Sequence, residues 1–177
     1  MCFNMIFRII LSASILFILI NCSSNSNNTN SKDAISEIGS PEAYYVEGMY
    51  KFDNQEFEEA VIIFKKIEQI YPLSNEAIQS QIMSGFIDYL QLDYDSAIFK
   101  FSKLINKYPS LKNIDYVYYM RAISYYEQTP HAALDRKHNT LALENLNQVI
   151  KRFPNSKYAK DSHQKIILVK SNIAAKH

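Results

Sequence analysis

GMYKFDNQEFEEAVIIFKKIEQIYP, residues 48–72, is answered in outline 37 residues later by GFIDYLQLDYDSAIFKFSKLINKYP, residues 85–109. Gly48, Ala60, Phe64 and Pro72 stand at spacings of 12, 4 and 8, and Gly85, Ala97, Phe101 and Pro109 stand at the same spacings. Ala122 lies 37 residues after Gly85, and Ala142, Leu146 and Pro154 supply the second half of the pattern a third time. The physical sense is direct. The small residue lets one helix approach the next closely. The Ala and the Phe fill the seam between them. The Pro stops the second helix, because it has no N–H to continue the ladder. Three matches in register predict stacked helix pairs.

A small residue, then Ala-x3-Phe, then Pro are the offsets of the tetratricopeptide (TPR) pattern. The expected fold is therefore all-α, a TPR-type solenoid of about three helix pairs plus a final single helix. Ser40, Pro41 and Glu42 give the first helix a cap, a Pro at its first position and an acid in its first turn, so it runs from Pro41 to about Phe52. Asn54 is expected to cap the second helix, which ends at Tyr71-Pro72. Ser74 or Asn75 starts the third, ending near Gln91, and Asp93 caps the fourth, ending at Tyr108-Pro109. The fifth covers about Ile114 to Glu127. An insertion, Gln128 to His138, separates it from a sixth at Asn139 to Phe153, because Ala122 and Ala142 are 20 residues apart where the other repeats use 12. A last helix starts at Ser156. The expected repeats are 41–74, 75–112, 113–155 and a partial fourth at 156–177, within a domain of 40–177.

Residues 1–21 read as an export signal. Arg8 supplies the positive charge, and Ile9 to Ile20 is apolar but for Ser12 and Ser14, too short to span a bilayer. An uncleaved anchor is the alternative. Leu19-Ile20-Asn21-Cys22 resembles a bacterial lipobox, in which the Cys takes the lipid; Asn21 stands where that motif prefers a small residue. Cys22 is thus the expected lipidation site. The absence of Asp at Ser23 favours, by the same resemblance, the outer membrane. Residues 22–39 open with a run of Ser and Asn that cannot bury apolar area, and form a disordered tether.

The chain has 177 residues and a formal charge of +1, so no global charge points to nucleic acid. The charge is uneven, however. Glu42 to Asp95 holds 11 acidic and 3 basic residues, and Ser96 to His177 holds 5 acidic and 14 basic. Two faces for two neighbours would use such a division. A solvated surface without partners is the plainer reading. The two cysteines, Cys2 and Cys22, form no disulfide framework, and His131, His138, His163 and His177 are scattered without carboxylates at ligand spacing. No phosphate loop and no nucleophile with a nearby base is found, so neither an enzyme, a metal site nor a cofactor is expected.

In stacked helix pairs the first helix of each pair lines the concave side. Alignment on Gly48, Gly85 and Ala122 turns inward Tyr45, Met49 and Phe52, then Ile82, Phe86 and Tyr89, then Tyr116, Tyr119, Ile123 and Tyr126. That is an aromatic-rich groove suited to an extended peptide with aromatic and aliphatic side chains. For any one of these residues the alternative is a core position between neighbouring helices. Asp135 and Arg136, in the insertion, form either a contact loop or a solvated excursion. Ile166-Ile167-Leu168-Val169 is apolar nearly all round. Either a partner packs there or the chain is shortened after the first half of a fourth repeat.

Asn113-Ile114-Asp115-Tyr116-Val117-Tyr118-Tyr119-Met120-Arg121, the insertion with Asp135-Arg136, and Phe153-Pro154-Asn155-Ser156-Lys157-Tyr158 go beyond a generic repeat. From Leu19 to His177 the chain resembles the BamD (ComL) family, TPR lipoproteins of the machinery that assembles outer-membrane β-barrels. The resemblance implies a lipid-anchored scaffold facing the periplasm. Its implied partners are the BamA insertase through its POTRA domains, other assembly lipoproteins and unfolded outer-membrane protein precursors. The N-terminal repeats would match the precursor-binding region, and Asp135, Arg136, Ile166 and Ile167 a partner interface. That family has five repeats, of which the fourth is half present here and the fifth absent. A TPR lipoprotein that scaffolds cell-envelope or peptidoglycan enzymes is the alternative, and a glycan-binding lipoprotein a third.

Overall fold

The structure, a computed structural model, describes residues 39–129 and 136–174. The expectations for the signal segment, Cys22, the tether and Asp135 lie outside the described residues. The described residues form seven α-helices and no strand: α1 Pro41–Asp53, α2 Phe57–Ile70, α3 Asn75–Leu90, α4 Tyr94–Lys107, α5 Ile114–Glu127, α6 Arg136–Arg152 and α7 Lys157–Ala174. No helix among them is long and apolar enough to cross a membrane.

Local chemistry sets these boundaries. Ser40 Oγ accepts from Ala43 N–H, Ser74 Oγ from Ala77 N–H and Asp93 Oδ1 from Ser96 N–H, which caps α1, α3 and α4. Tyr71 and Tyr108 end α2 and α4 just ahead of Pro72 and Pro109. Asn54 departs from expectation. It closes α1 and does not cap α2, whose N-cap is Glu56 without a side-chain bond. The cause is the turn. Gln55 sits at φ 62°, and the N–H groups of Gln55 and Glu56 donate to Phe52 O and Lys51 O, each at 2.9 Å. Those bonds consume Asn54 and Gln55 in finishing α1. Glu56 stands at the repeat position of Asp93, but its carboxylate pairs with Lys51. Helix α6 begins at Arg136, three residues ahead of expectation, through Arg and Lys residues that favour helix.

Each helix packs on the next in sequence. The odd-numbered helices also touch one another in turn, α1 to α3, α3 to α5 and α5 to α7, whereas the even-numbered ones do not. The odd helices thus form the inner row. Gly48 and Gly85 are what allow the pairs to close. A Cβ at Gly48 would lie 2.6 Å from Phe64 Cε1, and one at Gly85 2.9 Å from Phe101 Cε1. In the third pair Ala122 and Leu146, both fully buried, take those two positions. Two cores result: one around Ala60, Phe64, Ile67, Ala77 and Ile87, the other running from Ile82 and Phe101 through Val117, Met120 and Leu146 to Ile166.

Candidate functional site

The inner row carries rings in contact across helix boundaries. Phe52 of α1 meets Phe57 of α2 at 5.7 Å between centroids and Phe86 of α3 at 5.9 Å. Phe86 stacks on Tyr89 at 6.2 Å, and Tyr89 meets Tyr94 of α4 at 5.7 Å. Such tilted and offset pairs favour association beyond their area alone. Tyr45 leans on Phe64 at 5.8 Å, and Met49 joins the first core at its edge. Tyr45, Met49, Phe52, Phe86 and Tyr89 are each half-buried, so each supports the fold with one part and meets solvent with another.

A second group forms where α7 closes on α5. Tyr158 stacks on Tyr119 at 4.7 Å and meets Tyr116 at 5.6 Å. Tyr119 Oη donates to Asp161 Oδ2 at 2.6 Å, Lys165 lies 3.7 Å from the same carboxylate, and Lys165 Nζ sits 4.9 Å from the Tyr126 ring. Burial pushes the Tyr116 hydroxyl up to about 12, helped by the neighbouring Tyr158 and Tyr89. Burial raises Tyr119 as well, followed by its bond to Asp161. Both phenols stay protonated at neutral pH, and Tyr119 donates to Asp161. Beside them opens a cleft of about 550 Å³ whose lining includes Ile82, Met83, Tyr116 and Tyr158 together with Lys112, Asp115 and Lys157.

Ile82 and Ile123, expected to line the groove, are 8% and 4% exposed and belong to the second core. The expected partner residues divide as well: Ile166 is buried, while Ile167 is 65% exposed with Leu168 beside it. Arg136 is the first residue of α6. Phe57, Tyr94 and Tyr158 were not anticipated in the groove. Phe57 and Tyr94 are 37 residues apart and extend the ladder at both ends, a signal the repeat period already contained. Tyr158 gave no such signal, since its contacts depend on how α7 folds back. The described residues hold no cluster of His, Cys, Asp and Glu fit for a metal. The arrangement offers apolar ring faces half-open to solvent.

The family model described as YfiO, outer membrane lipoprotein, matches residues 38–177. The chain belongs to this family. Within the YfiO family, outer membrane protein assembly factor BamD of Caulobacter vibrioides is 33% identical over 135 residues, covering 76% of this chain and 44% of that protein. BamD of Rickettsia prowazekii is 31% identical over 147 residues, covering 83% and 57%. BamD of Neisseria gonorrhoeae is 26% identical over 171 residues, covering 90% and 63%. The chain therefore spans about half the length of the curated relatives it matches. A solved structure of the MamA RS-1 ArsTM double mutant superimposes with a TM-score of 0.52 at 16% identity, covering 77% of this chain and 74% of that one. That likeness supports the helical repeat fold alone.

Proposed function

We propose that the chain is an outer membrane protein assembly factor, a scaffold of the β-barrel assembly machinery that works by binding alone. Cys22 carries the lipid, and the helical domain stands off the outer membrane on the periplasmic side. Unfolded outer-membrane protein precursors lie extended along the inner row, their aromatic side chains against Phe52, Phe86, Tyr89 and Tyr116. Anchoring raises the effective concentration of captured precursor at the membrane. The BamA insertase, through its POTRA domains, and other assembly lipoproteins meet the basic second half, with Ile167 and the segment at Asp135 and Arg136 in contact. The observation that carries this reading is the ring ladder of α1 to α4: rings half-open to solvent along one row, in a chain of an outer membrane lipoprotein family.

Site-specific photo-crosslinking in cells tests it, with one probe at Phe86 and a second at Ile167. Barrel precursors captured at Phe86 and a POTRA domain at Ile167 are the expected result. Peptidoglycan enzymes at both positions, or no capture at either, would replace the assembly role with a generic envelope scaffold.

A further inference from the structure

One face of α1 carries the pattern of a covered face without the cover. Counting 37 residues back from Ser80, Met83 and Ile87 of α3 gives Ala43, Val46 and Tyr50 of α1, and counting 37 forward gives Val117, Met120 and Ser124 of α5. In α3 and α5 these positions lie against the preceding helix. Ile87 shares a core with Ala60, Phe64 and Ile67 of α2, and Val117 and Met120 share one with Phe101, Leu104 and Ile105 of α4. Ser80, Ile87, Val117 and Ser124 are wholly buried. In α1 the same positions are open: Ala43 is exposed, Val46 is 68% exposed and Tyr50 64%. The outer face of a terminal repeat is ordinarily polar.

Charge frames this strip. At about 100° per residue, Val46, Tyr50 and Ala43 share about 60° of arc on the helix. Glu42 and Asp53 border it on one side and Glu47 on the other. All three acids are exposed, and none is in an ion pair among the described residues. At the same three positions α3 has Gln79, Ser84 and Leu90, which are neutral. The turn into α1 leaves the strip clear. Gly39 O accepts from Tyr71 Oη, at the C-cap of α2, at 2.8 Å, and a Cβ at Gly39 would lie 3.4 Å from Tyr44 Cζ. Tyr44 stands about 160° around the helix from Val46.

We propose that this strip is the docking face for an amphipathic helix of another protein. Its apolar stripe lies on Val46 and Tyr50, and Lys or Arg residues beside that stripe meet Glu42, Glu47 and Asp53. The occupant is a helix because a helix covers the equivalent positions of α3 and α5. It is basic because acids border the strip on both sides. Apolar contact supplies the affinity, and the flanking charges select the partner. Three acids make the face unfit for an anionic lipid surface. Met49 and Phe52 lie on a different side of α1, so this site goes beyond precursor binding on the inner row, and either can fail without the other.

The test uses the whole chain and three fluorescein-labelled helical peptides about five turns long, read by polarisation. The first has a Leu stripe flanked by Lys, the second the same stripe flanked by Glu, and the third the residues of the first in scrambled order. The first should bind about tenfold or more tighter than the other two. Val46→Gln with Tyr50→Gln, which keeps helix propensity, should weaken it by about tenfold or more. Ile62→Gln, on an exposed face of α2, should leave it within about twofold. Glu47→Lys with Asp53→Lys should turn the preference toward the Glu-flanked peptide. Equal weakening by Ile62→Gln would reduce the effect to general apolar adhesion and overturn the site. Equal binding of Lys-flanked and Glu-flanked peptides, or binding of neither, would overturn the basic helix. Sedimentation showing self-association that Tyr50→Gln abolishes would make a second copy the occupant and overturn the separate partner. A melting temperature well below the parent's in the Val46→Gln, Tyr50→Gln protein would mean that the strip is already covered within the chain, and would overturn the proposal too.

Discussion

At the scale of the residue, the helix pairs are held to one spacing by a reciprocal choice of volumes. Glycine opposes phenylalanine twice, and alanine opposes leucine once, at Ala122 and Leu146. Gly48→Ala should therefore destabilise, although alanine favours helix by about 1 kcal/mol. Its Cβ would sit 2.6 Å from a Phe64 ring that is fully buried. Overpacking of that kind costs about 1–3 kcal/mol, which leaves a net loss of about 1 kcal/mol. The pair Gly48→Ala with Phe64→Leu recreates the third repeat's solution, so it should lose less than the sum of the two single changes. Urea unfolding of all four proteins measures that coupling. Serines in the same seams offer a second contrast. Ser124 and Ser162 donate to the Met120 and Tyr158 carbonyls at 2.8 Å, while the Ser80 hydroxyl, equally buried, has no partner. Ser80→Ala should raise the unfolding midpoint by an amount worth about 1 kcal/mol, and Ser162→Ala should not.

At the scale of the element, the turns between paired helices carry an avoidable strain. Gln55 and Leu92, 37 residues apart, hold φ of 62° and 64° in the left-handed region. Both follow the helix C-cap, with the next N–H bonded back to Lys51 O or Asp88 O at 2.9 Å. Glycine is the residue that takes this position without a Cβ penalty. Leu92 is also 69% exposed, so its side chain contributes little packing. Leu92→Gly should stabilise by about 0.5–1 kcal/mol, after the entropic cost of glycine in the unfolded chain is subtracted. Thermal unfolding checks it, and a lower midpoint would mean the leucine packs more than its exposure implies. These turns also mark where the sequence stops being legible. Prolines, serine caps and the 37-residue period are local signals, and they located the helices to within a few residues. Asn54 misled because a cap and a helix-closing residue look alike until φ at Gln55 is known. The ring ladder was legible in part, since Phe86 and Tyr89 follow from the period. Ile82 and Ile123 were not separable from it, because a one-residue rotation about the helix decides between groove and core. Tyr158 depended on a contact 39 residues away with Tyr119, which no local pattern encodes.

At the scale of the whole helical stack, the inner row is tied together by phenols, and that fixes how it responds to base. Tyr116 and Tyr119 of α5 are held by Tyr158 and Asp161 of α7, while Tyr89 of α3 adds to the field on both. The Tyr116 hydroxyl is pushed up to about 12 from an ordinary value of 10.0. A raised folded value means that the folded state keeps its proton longer than the unfolded state does. Below pH about 10 both states are protonated, and the contribution of the buried phenol is fully present. Between about 10 and 12 the unfolded tyrosine ionises first, so stability falls as pH rises through that window. Tyr119, raised in the same direction, steepens the fall. The parent protein alone does not identify the source. Tyr116→Phe identifies it, because it keeps the ring against Tyr158 and removes the titrating hydroxyl. Its urea midpoint should lie near the parent's at pH about 8.5 and above it at pH about 11. An alkaline loss equal to the parent's would place the ionisation outside the seam of α5 and α7.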